Sequence, residues 1–155
     1  MKTIKLLAAA TAIVLLSPGA PLAHDDDEGK GKLGTVKFDN SCDPKVQVDL
    51  QRGVAMLHSF WYSAAEQTFR QVLAQDPNCV IAAWGAASIL MSNPLAGVGA
   101  TAKNAEAAQA LIAQGRKTAA KTQRERDYLE AVAAYYDDWS NRPERTRQLS
   151  RAKAY

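Results

Sequence analysis

Residues 46–77 read VQVDLQRGVAMLHSFWYSAAEQTFRQVLAQDP, and this stretch decides the fold. Val46, Leu50, Gly53, Val54 and Leu57 recur at steps of three and four, which places them on one face of an α-helix. Trp61, Ala65, Phe69, Val72 and Leu73 make a second such face, after a short connection around His58-Ser59-Phe60. Asp76-Pro77 stops the second helix, because the residue before a proline is pushed out of the helical region. Two helices of this length with a tight connection predict an antiparallel hairpin. Asn78, a good N-cap residue, is expected to open a third helix with Val80, Trp84, Ala87 and Met91 on its apolar face and Ile81 beside it.

Downstream, Asn93-Pro94 through Gly99 reads as a loop, and Ala105 to Gln114 as an alanine-rich helix stopped by Gly115. Thr122 and Glu125 have capping-box spacing and open a helix whose face is Tyr128, Leu129, Val132, Tyr136 and Trp139. Pro143 is expected in the first turn of a last helix that runs to Tyr155.

Upstream, Met1 to Ala23 reads as a secretory signal peptide. Lys2 and Lys5 form a positive start, Leu6 to Leu16 is an apolar run, and Ser17-Pro18-Gly19 breaks it before small residues. The run is too short to span ~30 Å of bilayer at 1.5 Å per residue, so no membrane span is expected after cleavage, placed just after Ala23. The product is expected in the periplasm or outside the cell. His24 to Lys32 is charged and glycine-spaced, with nothing apolar to bury, and is expected to be a flexible tail. Residues 24–43 as a whole are assigned as a flexible or extended lead-in, and residues 44–155 as the helical domain.

Composition narrows the function. The chain of 155 residues has 47% hydrophobic and 23% charged residues, ordinary values for a folded domain. Without Lys2 and Lys5 it carries 17 basic against 16 acidic residues, and the basic residues between Arg116 and Lys153 are interspersed with acids. That gives no basic face for nucleic acid. The histidines are His24, in the tail, and His58, at the end of the first helix, so they form no pair for a catalytic or metal site. No phosphate loop, nucleophile elbow or zinc-type histidine spacing occurs. The expectation is a protein without enzymatic activity and without a cofactor.

Gly53, Ala65, Phe69 and Pro77 stand at the spacings of the small, small, large and helix-stop positions of a tetratricopeptide repeat, and Ala87 follows Gly53 by the thirty-four-residue period. The string Arg52-Gly-Val-Ala-Met-Leu-His-Ser-Phe-Trp-Tyr62, with Asp76-Pro-Asn-Cys79 and Ala83-Trp84-Gly85, resembles the opening of a group of exported bacterial tetratricopeptide-repeat proteins. Leu33-Gly-Thr-Val-Lys-Phe38, Ser41-Cys42 and Arg124-Glu-Arg-Asp-Tyr128 are similar to that group as well. The resemblance implies an all-α stack of antiparallel hairpins that binds a protein or peptide in a groove lined by the first helix of each hairpin. Asp49, Arg52 and Met56 are then the groove candidates. Members of the group are longer, so the alternatives are the non-catalytic opening of a longer exported enzyme or metal-binding protein, and a structural unit that forms a homodimer. In such a stack Cys42 and Cys79 start neighbouring first helices, which predicts a disulfide in an oxidising compartment. Two free thiols, or a metal site short of ligands, are the other readings.

Overall fold

A computed structural model describes residues 33–118 and 120–155; the stretches expected to be a signal peptide (1–23) and a flexible tail (24–32) lie outside the described residues. The described chain is all-helical, with six α-helices: α1 (Gln47–His58), α2 (Tyr62–Gln75), α3 (Val80–Ile89), α4 (Ala102–Lys117), α5 (Gln123–Tyr136) and α6 (Glu144–Ala154). Short 3-10 turns at Pro44–Val46, Pro94–Ala96 and Trp139–Asn141 precede α1, α4 and α6. The helices pack in neighbouring pairs, α1 with α2, α3 with α4 and α5 with α6, and no described helix is long and apolar enough to cross a membrane.

The first pair follows the sequence closely. The α1 helix ends at His58, Phe60 makes the connection with a left-handed backbone (φ 63°), and α2 ends at Gln75, with Asp76 as its C-cap before Pro77. A bulky residue is costly in that conformation and is held there by the helices on either side. Phe69 is fully buried, and its ring lies against Gly53 of α1 and Gly85 of α3, where the lack of a side chain lets the three helices converge.

Helix α3 is the centre of the molecule. It packs against α1, α2, α4 and α5, and every residue from Val80 to Ile89 is buried. One apolar face was expected, but small residues such as Ala82, Ala83 and Ala86 allow neighbours on all sides. The N-cap is Cys79, one residue after the expected Asn78.

Two further differences concern helix ends. Gly115 does not stop α4, which continues to Lys117; the glycine instead admits the Leu129 side chain of α5 and sits beside Ala83. Thr101 caps the other end by accepting from the Asn104 N–H at 3.2 Å. Helix α5 ends at Tyr136, and Trp139 lies in the following turn, after Asp138 takes a left-handed backbone (φ 45°).

The described part of the lead-in, residues 33–43, is extended and tied down. Phe38 stacks on Trp84 with ring centroids 5.9 Å apart and meets the edge of Tyr128 at 5.6 Å, with the Arg124 guanidinium 4.7 Å from its ring centre. The N–H of Ser41 donates to the Glu125 carboxylate at 2.7 Å, and its hydroxyl lies 2.7–2.8 Å from both carboxylate oxygens. Thr122 accepts from the Glu125 N–H at 3.2 Å, as a capping threonine should, but the Glu125 side chain turns to Ser41 and to the Thr122 hydroxyl. Cys42 and Cys79 form a disulfide, with Cα atoms 4.7 Å apart.

Candidate functional site

Of the three groove candidates, Asp49 and Arg52 lie half-exposed on α1 and Met56 does not. Met56 is buried at 2% exposure, because α2 packs over it and the Thr68 hydroxyl contacts its sulfur at 3.8 Å. It is a core residue and cannot meet a partner. Arg52 shares a depression with Leu33, Thr35 and Val36, so the lead-in lies along the face that was expected to be open. Gly53, Ala65 and Phe69 are buried at the contact between α1, α2 and α3, and exposed Pro77 follows the end of α2.

A cleft of about 430 Å³ opens where the ends of α1 and α6 approach α3 and α5. Its walls are mainly aromatic. Trp84 and Tyr128 meet edge to face at 5.0 Å, Tyr155 meets Tyr128 at 5.5 Å, and the Trp84 indole N–H donates to the Tyr155 hydroxyl at 2.8 Å. Burial pushes the Tyr155 phenol up from its ordinary pKa, with the hydrogen bond from Trp84 opposing. The polar lining includes His58 and Arg151, and no carboxylate side chain lines the cleft. Ser88 borders the cleft, but its hydroxyl is shut off from solvent and has no hydrogen-bond partner in the protein.

Sequence periodicity could not find this cleft. Phe38 and Tyr155 come from opposite ends of the described chain, and only Ser88, a polar residue inside the apolar run of α3, left a local trace. Three exposed apolar side chains lie in two loops: Phe60 between α1 and α2, and Leu95 and Val98 between α3 and α4. Phe60 and Pro94 line the mouth of the cleft, which places both loops at its rim.

A second polar cluster joins α5 to α6. The Tyr135 hydroxyl donates to Glu144 at 2.6 Å and accepts from the Ala100 N–H at 3.1 Å; burial, helped by the Glu144 carboxylate, pushes the phenol up to about 12. Arg147 donates to Glu144 at 2.8 Å and to the Trp139 carbonyl at 2.7 Å, with its guanidinium 5.0 Å from the Trp139 ring centre. Each charged group here is matched, which suits a clamp between helices better than an acid–base pair.

Among the described residues one group of potential metal ligands comes together, Cys42, Asp76 and Cys79. The two sulfurs are bonded to each other, and the Asp76 carboxylate accepts from the N–H groups of Asp43 (2.8 Å) and Asn78 (3.1 Å). The group is a fastening between the lead-in and the start of α3. His58 is exposed at the end of α1, by the cleft. Compared with family models, curated proteins and solved structures, the chain matches none of them.

Proposed function

We propose that the chain is an exported helical scaffold of the tetratricopeptide-repeat type, which binds a protein or peptide partner and has no catalytic activity of its own. Three helix pairs built around α3, and a disulfide suited to an oxidising compartment, support this reading. The observation that carries it is the group of apolar side chains offered to solvent by the hairpin loops. Leu95 is 81% and Val98 73% exposed, and Phe60 projects from the neighbouring loop. Large apolar side chains exposed on loops that border a cleft mark a candidate docking site. A rigid, disulfide-tied scaffold presents such residues with little ordering cost on binding.

The test uses the mature protein and a Leu95→Ser, Val98→Ser variant. Both positions are exposed, so the variant should keep its circular dichroism spectrum and melting temperature. Chemical cross-linking in the native cell envelope should enrich one envelope protein with the parent and not with the variant. Equal capture by both would show that the loops are not the docking surface. Self-capture alone would replace the partner reading with a homodimer.

A further inference from the structure

The lead-in is held unevenly along its length. Its root is firm, because Cys42 is bonded to Cys79 and Ser41 is gripped by the Glu125 carboxylate. Upstream of that root, residues 33–39 form an extended arm that touches the first helix of each pair. Leu33 and Val36 share a depression with Val48 and Arg52 of α1, while Phe38 stacks on Trp84 of α3 and meets Tyr128 of α5. Among the described residues, no backbone N–H or C=O of the arm bonds to the backbone of another element. Leu33, Val36 and Phe38 are only half-buried, and Gly34, Thr35, Lys37 and Asp39 are exposed. Arg124 grips the arm twice: its guanidinium lies 4.7 Å from the Phe38 ring centre, and it donates to the Asp39 carbonyl at 2.7 Å. Alternate side chains packed on a face, with hydrogen bonds to the main chain, are how a receptor holds an extended peptide. Here the peptide belongs to the chain itself.

We propose that the arm is a displaceable occupant of a peptide-docking face on α1, α3 and α5. The partner is an extended segment of another protein, with an aliphatic residue in place of Val36 and an aromatic ring in place of Phe38. The arm itself shows what fits. Val36 and Phe38 pack against the core, so their positions are read, whereas the exposed side chains of Lys37 and Asp39 leave theirs unread. Lifting the arm uncovers the Trp84 and Tyr128 rings and the Arg124 guanidinium, which together suit an incoming aromatic side chain. Val48, 80% exposed on α1, continues the apolar surface beside them. Because the arm is tethered at its root, it competes for the face at a high local concentration and sets a threshold that a partner must exceed. This inference rests on the reading of the chain as a partner-binding scaffold, but it concerns a surface other than the hairpin loops.

The experiment uses the mature, oxidised protein and, as probe, a fluorescein-labelled peptide of residues 33–41 followed by anisotropy. Phe38→Ala and Val36→Asp loosen the arm through different contacts, and both lie outside the helices, so the circular dichroism spectrum should not change. Each variant should bind the peptide about tenfold more tightly than the parent, whose own arm competes. With the Phe38→Ala protein as receptor, a peptide carrying Phe38→Ala should lose about tenfold in affinity, and one carrying Lys37→Gln should stay within about twofold. Adding Leu95→Ser, Val98→Ser to that receptor should leave the peptide affinity unchanged, so failure of this face and failure of the loop surface are told apart. Equal affinity of the parent and both loosened variants, or indifference to Phe38→Ala in the peptide, would overturn the proposal. So would the absence of binding at millimolar peptide. A concentration-dependent dimer of the parent that Phe38→Ala abolishes would make a second copy the occupant, and would overturn the choice of another protein as partner.

Discussion

An alanine at Gly85 would place its methyl carbon 2.5 Å from Cζ of Phe69 and 2.6 Å from Cε1 and Cε2. Carbon atoms in ordinary contact stand ~3.5–4.0 Å apart, so the ring would have to retreat by about 1 Å. It cannot do so freely, because a Cβ on Gly53 across the ring would already lie only 3.0 Å from Cε1, and Phe69 is fully buried. Overpacking of this kind costs ~1–3 kcal/mol, and the expected value is at the upper end because the clash is with a whole ring edge. Against it stands the gain of ~1 kcal/mol from replacing a helical glycine by alanine. The net expectation for Gly85→Ala is a loss of about 1–2 kcal/mol. Gly53→Ala, at 3.0–3.2 Å from the same ring, should cost less and lie near zero. In a Phe69→Leu background the Gly85→Ala penalty should vanish, giving a coupling of about 1–3 kcal/mol. Urea unfolding followed by circular dichroism, with the disulfide intact, measures all of these at constant m-value. A stabilised Gly85→Ala, or a cycle additive to within ~0.5 kcal/mol, would refute the wedge.

Two further outcomes follow from the tethers of the lead-in. The disulfide closes a loop with a sequence separation of 37, so Cys42→Ala, Cys79→Ala should lower stability by about 3–4 kcal/mol, read as a shift of the urea midpoint. A loss below ~1 kcal/mol would mean that the other contacts of the lead-in already hold it. Burial raises the Glu125 pKa, but hydrogen bonds from Ser41 and Thr122 outweigh this and hold the carboxyl below its usual value of 4.5. A depressed carboxyl contributes stability that is complete above the unfolded value and is lost as pH falls through the folded one. Stability should therefore decline below pH ~4.5 in the parent, with a shallower decline in Glu125→Gln. Identical acid limbs would remove Glu125 from this role. At neutral pH Glu125→Gln should cost about 1–3 kcal/mol, since Ser41 loses charged acceptors.

The sequence made the helices legible wherever apolar residues alternate with charged ones. In α1 and α2 such alternation marks one buried face, and a proline or a tight connection marks the ends, so both helices and their pairing could be read. Helix α3 has no charged residue to mark an outer face, and its burial on all sides is a property of its neighbours. Met56 shows the same limit from the other direction: repeat spacing placed it on a groove, whereas α2 covers it. The disulfide was predictable because it depends only on which helix starts adjoin, and that follows from the order of the elements. The cleft depends on contacts between residues far apart in sequence, such as Trp84 with Tyr155, and on the path of the lead-in. No local pattern encodes Ser41 reaching Glu125 across most of the domain.

The enclosure of α3 has a cost before the fold exists. No Asp, Glu, Lys or Arg stands between Asp76 and Lys103, and the centre of that interval is VIAAWGAASILM. Charges that would keep an extended chain apart from its neighbours cannot be placed there, because each would be trapped inside the folded protein without a counter-ion. Until its partner helices arrive, the segment is open to association with copies of itself, so refolding yield should fall steeply with protein concentration.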